Sequence, residues 1–197
     1  MFKSLFRNVE VQDPPIAKLL FNNTVFGIVW LALRVWLGYQ WIDASMHKIT
    51  NPAWVVTGEA LKGFWVNSLK VDPKPVIYFD WYRSFIQFLV DAQAYTWFAK
   101  LVAYGELLIG IALILGAFTG IAAFFGAFMN WNFMMAGTAS SNPLLFVAAI
   151  AIVLGWKVAG YYGLDRWLLP LLGTPWQFGA ITRLHKPKEI PVPMPVR

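Results

Sequence analysis

Apolar residues along the chain gather into four long blocks. The first runs from about Thr24 to Met46 and the second from about Phe98 to Phe118. The third runs from about Ile121 to Gly137 and the fourth from about Leu144 to Tyr162. Each fits the roughly 17–25 residues that an α-helix needs to cross a bilayer. The joints Thr119-Gly120 and Gly137 through Pro143 carry turn chemistry. Joints this short make the last three blocks antiparallel neighbours. From Leu107 to Trp156 there is no Asp, Glu, Lys or Arg at all. A soluble core of this size has no room for such a run, so the pattern predicts an integral membrane protein.

The stretch between the first two blocks is patterned differently. After Pro52, Trp54, Leu61, Trp65 and Leu69 fall on one helical face, with Glu59 and Lys62 on another. After Asp80, Trp81, Phe85, Phe88, Leu89 and Ala92 do the same. This predicts two amphipathic helices, about 52–69 and 80–95, lying in the membrane interface. Lys70 through Pro75 joins them as extended chain. The expected fold is an all-α four-transmembrane-helix bundle with two interfacial helices between the first and second spans. Residues 1–170 form one membrane domain. Residues 171–197 form a Pro-rich tail, polyproline-like from Lys186 to Pro195, which cannot bury a core alone. The expectation is that a partner subunit holds it. No signal peptide is expected either, because Met1–Asn23 mixes five charges with Pro14-Pro15.

Composition agrees with the pattern. Of the 197 residues, 58% are hydrophobic and 13% charged. Soluble domains average about 45–50% and about 25%. The chain has no Cys, which excludes disulfides, thiolate metal sites and iron–sulfur clusters. Its net charge of +6 is read as orientation and lipid contact, not as nucleic-acid binding. Four spans put both termini on one side, with Lys3, Arg7, Lys18, Arg166, Arg183, Lys186, Lys188 and Arg197. The long connection carries fewer cations, so the expected termini are cytoplasmic. Trp41, Trp54, Trp65, Trp81 and Trp97 then mark the outer interface, with aromatic surface to spare for another subunit.

Polar residues inside the spans are the candidate chemistry. Arg34, Asp43, Glu106 and Lys157 each cost about 2.5–3.5 kcal/mol at mid-bilayer, so they should face the bundle interior. Lys157 lies near a helix end and can snorkel. At about 1.5 Å rise per residue, Tyr39, Gln40, Asp43, Glu106 and Asn130 share one layer in the outer half. Tyr39, Asp43 and His47 lie on one face at i, i+4 and i+8. Arg34 sits deeper and on the opposite face from Asp43. It can reach Glu106 from a tilted helix, or bind an anion or a quinone oxygen. The layer is either interhelical glue or a pocket for a quinone headgroup or anion. No metal is expected. No haem is expected, since His47 and His185 are the only histidines and one lies in the tail.

Three stretches carry a family resemblance. They are Gly38 to Ile49 with Asn51 to Trp54 and Gly63 to Trp65; Tyr104 to Gly137; and Ala159 to Arg166. On these the chain resembles the DoxX/DoxD family of small four-helix membrane proteins. The motif includes Tyr39, Asp43, Glu106 and Asn130. The resemblance implies a prokaryotic plasma membrane and a place in quinone-linked electron transfer, as in thiosulfate:quinone oxidoreductases. Without Cys or a cofactor motif, an electron path needs another subunit or a bound quinone. The expected role is an accessory membrane subunit. The alternatives are a subunit that binds quinone directly and a small-solute carrier.

Overall fold

The computed structural model describes residues 13–174. The N-terminal dozen residues and most of the Pro-rich tail lie outside it, so the expected tail contact does too. Every described element is helical: α1 Pro15–Asn22, α2 Gly27–Ile49, α3 Pro52–Val55, α4 Glu59–Ser68, α5 Asp80–Asp91, α6 Tyr95–Leu115, α7 Thr119–Met135, α8 Asn142–Leu154, α9 Trp156–Ala159 and α10 Asp165–Leu171. Among the described residues, two helical stretches are long and apolar enough to cross a membrane, Thr24–Ile49 and Tyr95–Leu115.

These two form the tightest pair. Small residues let their backbones approach. A Cβ on Gly38 would lie 2.8 Å from the carbonyl oxygen of Gly110, and one on Gly110 would lie 2.6 Å from Ile42 Cγ1. The second extensive pair is α7 with α8. Together they enclose a core of Trp30, Leu37, Trp41, Leu113, Ala123, Ala149 and Ile152. A second core lies under α4 and α5, over the Tyr95 end of α6 and the Met135 end of α7. It contains Leu61, Trp65, Ile77, Tyr82, Ile86 and Tyr95.

Several boundaries differ from the pattern, each for a visible reason. The stretch 52–69 is two helices, because Gly58 takes φ 76° and packs against the Tyr95 carbonyl, where no Cβ fits. The next helix stops at Asp91, and Tyr95 already belongs to α6. At the other end, Gly116 closes α6 in the left-handed conformation at φ 66°. The stretch 144–162 is also interrupted. It forms α8, then α9 after Gly155, whose missing side chain accommodates the Trp30 indole 3.0 Å from where a Cβ would be. Two helices have no counterpart in the sequence reading. The first, α1, starts on Pro14-Pro15 and is tied to α2 by Trp30 Nε1 donating to Leu20 O at 2.8 Å. Near its end, Lys157 Nζ meets Asn22 Oδ1 at 3.4 Å. The other is α10, which opens on the buried Asp165.

The Gly38–Gly110 contact gives a direct test. Gly38→Leu forces α2 from α6, an overpacking of about 1–3 kcal/mol. At about 2–4 °C per kcal/mol, the thermal midpoint of the detergent-purified protein falls by several degrees. Gly63→Leu, on an open face of α4, leaves that midpoint in place.

Candidate functional site

Arg34 is buried near the middle of α2, yet it does not meet Glu106. Its Nη1 donates to the carbonyls of Leu113 at 2.6 Å and Ile114 at 2.7 Å. Its Nη2 donates to Tyr162 O at 2.6 Å. The last carbonyls of a helix have no partner within it and form the negative end of its dipole. Arg34 therefore acts as the C-terminal cap of α6. Across the same turn, the buried Asp165 accepts from the amides of Phe118 at 2.5 Å and Thr119 at 2.9 Å, which open α7. The amides of Leu164 and Asp165 donate to Leu115 O and Gly116 O at 3.0 and 2.8 Å. Gly116 and Gly163 both press on the guanidinium, where a Cβ would sit 2.8 and 2.9 Å away.

Glu106 finds a different cation. Lys48, in the last turn of α2, places Nζ 2.7 Å from Oε2 and 3.0 Å from Oε1. Glu106 is buried and Lys48 nearly so. The ammonium lies 5.4 Å from the Trp54 ring and 6.0 Å from that of Phe133, two cation–π neighbours. Beside the pair, Ser45 Oγ donates to Ala103 O at 2.9 Å.

Asn130 is buried on α7, one turn before Phe133. Neither its Nδ2 nor its Oδ1 has a hydrogen-bond partner among the described residues. The same holds for Trp41 Nε1, which lies 3.1 Å from the position of a Cβ on Gly126, one turn from Asn130. So the layer holds an ion pair, an amide and an indole N–H.

The rest of the expected layer turns outward. Tyr39 is exposed, Gln40 is half-buried, and the side chains of Asp43 and His47 are 58% and 81% exposed. His47 Nε2 lies 3.8 Å from Asp43 Oδ1. The expected face at i, i+4 and i+8 exists, but it is the outer face of α2. Of the six residues expected together, Glu106 and Asn130 lie in the buried layer, Arg34 lies at the α6–α7 turn, and Tyr39, Gln40 and Asp43 do not line a common pocket.

An apolar cavity of about 480 Å³ lies on the other side of Phe133, between α4, α5, α6 and α7. Its walls include Trp65, Ile86, Leu101, Leu108, Phe125 and Phe133. Tyr82 and Asn132 bring polar groups to it, and these satisfy one another. The Tyr82 hydroxyl donates to Asn132, 3.1 Å from the backbone oxygen and 3.2 Å from Oδ1. Burial pushes the Tyr82 hydroxyl up to about 12, so it remains a proton donor at any physiological pH.

Sequence reasoning missed Lys48, Trp41 and Asp165 as partners. The signal for Lys48 was present: a buried carboxylate needs a cation within side-chain reach of its depth. None of the pattern rules could find Asp165, because its role depends on a turn 46 residues away.

The pair predicts an asymmetry. Lys48→Met leaves Glu106 buried without its cation, a loss of about 3–5 kcal/mol. Lys48→Met combined with Glu106→Met recovers most of that loss in the same thermal unfolding measurement. Equal damage from the single and double variants would mean that the pair contributes no coupling.

Comparison with known proteins gives one match. The DoxX family model matches residues 29–139. No curated protein and no solved structure matches. The matched residues run from α2 through α7, so they contain the Lys48–Glu106 pair, Asn130 and every wall of the cavity. Asp165 lies beyond them. By a match over more than half its length, together with its apolar helices, the chain belongs to the DoxX family of membrane proteins.

Proposed function

We propose that this chain is a multi-pass subunit of the prokaryotic plasma membrane, serving a quinone-linked electron-transfer complex as an accessory component. In this reading α2, α6, α7 and the α8–α9 stretch span the bilayer. Helices α3 to α5 lie in the outer interface, and both termini are cytoplasmic. The observation that carries the partner reading is the outward stripe of Tyr39, Asp43 and His47 on α2. A carboxylate on a lipid-facing helix is costly, and intramembrane charges face protein or water. A neighbouring subunit supplies that contact. The exposed Trp81 and Trp97 extend the same kind of surface around the interface.

A second reading is favoured by a separate observation. The amide of Asn130 is buried without a partner one turn before Phe133, the ring that neighbours Lys48, and the unpartnered indole N–H of Trp41 packs at Gly126, one turn earlier on α7. The two N–H donors suit the carbonyls of a quinone headgroup, and the Asn130 Oδ1 acceptor suits the hydroxyl of the reduced quinol. Here the chain binds quinone itself, while the oxidising half-reaction stays with another subunit.

Native purification in mild detergent separates these readings. The accessory reading expects the chain to arrive with redox subunits, and Asp43→Leu with His47→Leu to release it. A chain that runs alone and turns over thiosulfate with quinone overturns that reading. Quinone binding abolished by Asn130→Leu but retained by Asp43→Leu favours the second. Topology has its own test, since the chain has no Cys. A membrane-impermeant maleimide labels Lys74→Cys in intact cells and labels Asp13→Cys only after permeabilisation. The reverse pattern overturns the proposed orientation.

A further inference from the structure

Glycine is among the poorest residues in a helix interior. Most helical glycines here have a packing reason. Gly38 and Gly110 admit each other's backbone, and Gly126 admits the Trp41 indole. Gly105, near the middle of α6, has none. A Cβ added there would meet no atom within 4 Å, and the residue lines the apolar cavity. The missing side chain therefore does not bring two elements together. It leaves the cavity open.

The shape of that space is informative. Along α6 its walls run from Phe98 to Ile109, about 16 Å at the helical rise. Its flank opens between α6 and α7, where the lining residues Leu101, Leu108, Phe125 and Phe128 are 51–67% exposed. In a membrane that flank faces hydrocarbon. At the α5 end, Tyr82 and Asn132 satisfy each other. Of the polar side chains in the lining, only the Trp65 indole N–H is left unengaged, too little to hold a charged headgroup inside. A polar ligand would be desolvated there without compensation.

We propose that this cavity holds one acyl chain of a membrane glycerophospholipid. The chain enters sideways between α6 and α7 and lies beneath α5. Its ester and phosphate groups stay outside, at the level of α5. The aromatic ladder of Trp81, Trp131 and Phe128, with ring centroids 6.4 and 6.1 Å apart, borders the entrance. The lipid then acts as a structural wedge that joins the roof to the bundle. The inference needs α6 and α7 in the bilayer, but not the electron-transfer reading.

The test fills the cavity from within. Wild-type protein, Gly105→Leu and Gly63→Leu are purified in mild detergent, and retained lipid is measured by native mass spectrometry and by organic extraction. Gly63 lies on α4 with open space around it and outside the cavity lining, so it controls for an added leucine. The expected result is about one phospholipid per wild-type chain, at least a tenfold loss in Gly105→Leu, and no loss in Gly63→Leu. Helical content and thermal midpoint in Gly105→Leu should hold or rise, which excludes unfolding as the cause. Should that variant not accumulate, Gly105→Met places an adaptable side chain in the same space and gives the same readout. Phospholipid retained equally by Gly105→Leu, or absent from wild type, overturns the proposal. Recovery of a prenylquinone in place of phospholipid overturns it too, and supports the quinone reading instead.

Discussion

A helical chain in an apolar medium must satisfy its backbone polar groups even where a helix ends. In this protein the critical place is the turn between α6 and α7. Three residues separate the two helices, and Leu113 and Thr119 on either side of them are fully buried. Arg34 donates to the last carbonyls of α6, while Asp165 accepts from the first amides of α7. The first matches a cation to the negative end of a helix dipole, and the second an anion to the positive end. A third segment, from Tyr162 to Asp165, is drawn in by the same bonds. Four parts of the chain thus meet at one turn.

That arrangement changes the meaning of the intramembrane charges. Arg34 looks like a ligand group by depth alone, yet its bonded nitrogens are engaged with backbone carbonyls. Glu106 is equally engaged, with Lys48 at 2.7 Å. Neither charge stands free for chemistry. Among the described residues of the bundle, the buried groups left without a hydrogen bond are the Arg34 Nε–H, the Thr119 hydroxyl, the amide of Asn130 and the indole N–H of Trp41. Phe133 stands between this polar layer and the apolar cavity, touching the environment of Lys48 on one side and lining the cavity on the other. The buried polar groups and the apolar cavity therefore sit side by side without sharing hydrogen-bonding groups.

Helices α4 and α5 bind to the bundle by a different physics. Their core is aromatic, and their polar links are few and mutually satisfied, as in Tyr82 with Asn132. Such a roof is held by burial and shape, not by directed charges. Its contact with the bundle is interrupted by the cavity between α4, α5, α6 and α7.

The hydrophobic pattern by itself determined the all-helical membrane character, the order of the apolar helices and the amphipathic stretches near Trp65 and Phe85. It did so because 3.6-residue periodicity and apolar length are local properties of the chain. It also located Glu106 and Asn130 as buried polar residues, since a charge or amide deep in an apolar run has nowhere else to go. Only the tertiary structure decided the partners. Depth along a helix says how far in a residue lies, but not the direction in which its neighbours stand. Tyr39 and Asp43 share the level of Glu106 and still face outward, because α2 turns its Gly38 face to α6. Lys48 replaced Arg34 as the cation for Glu106, because a flexible side chain reaches back one turn. Asp165 became the cap of α7, because chain far away in sequence folds over the turn. Helix ends, pairings and cavities are set by what packs against them, and that is a property of the whole fold.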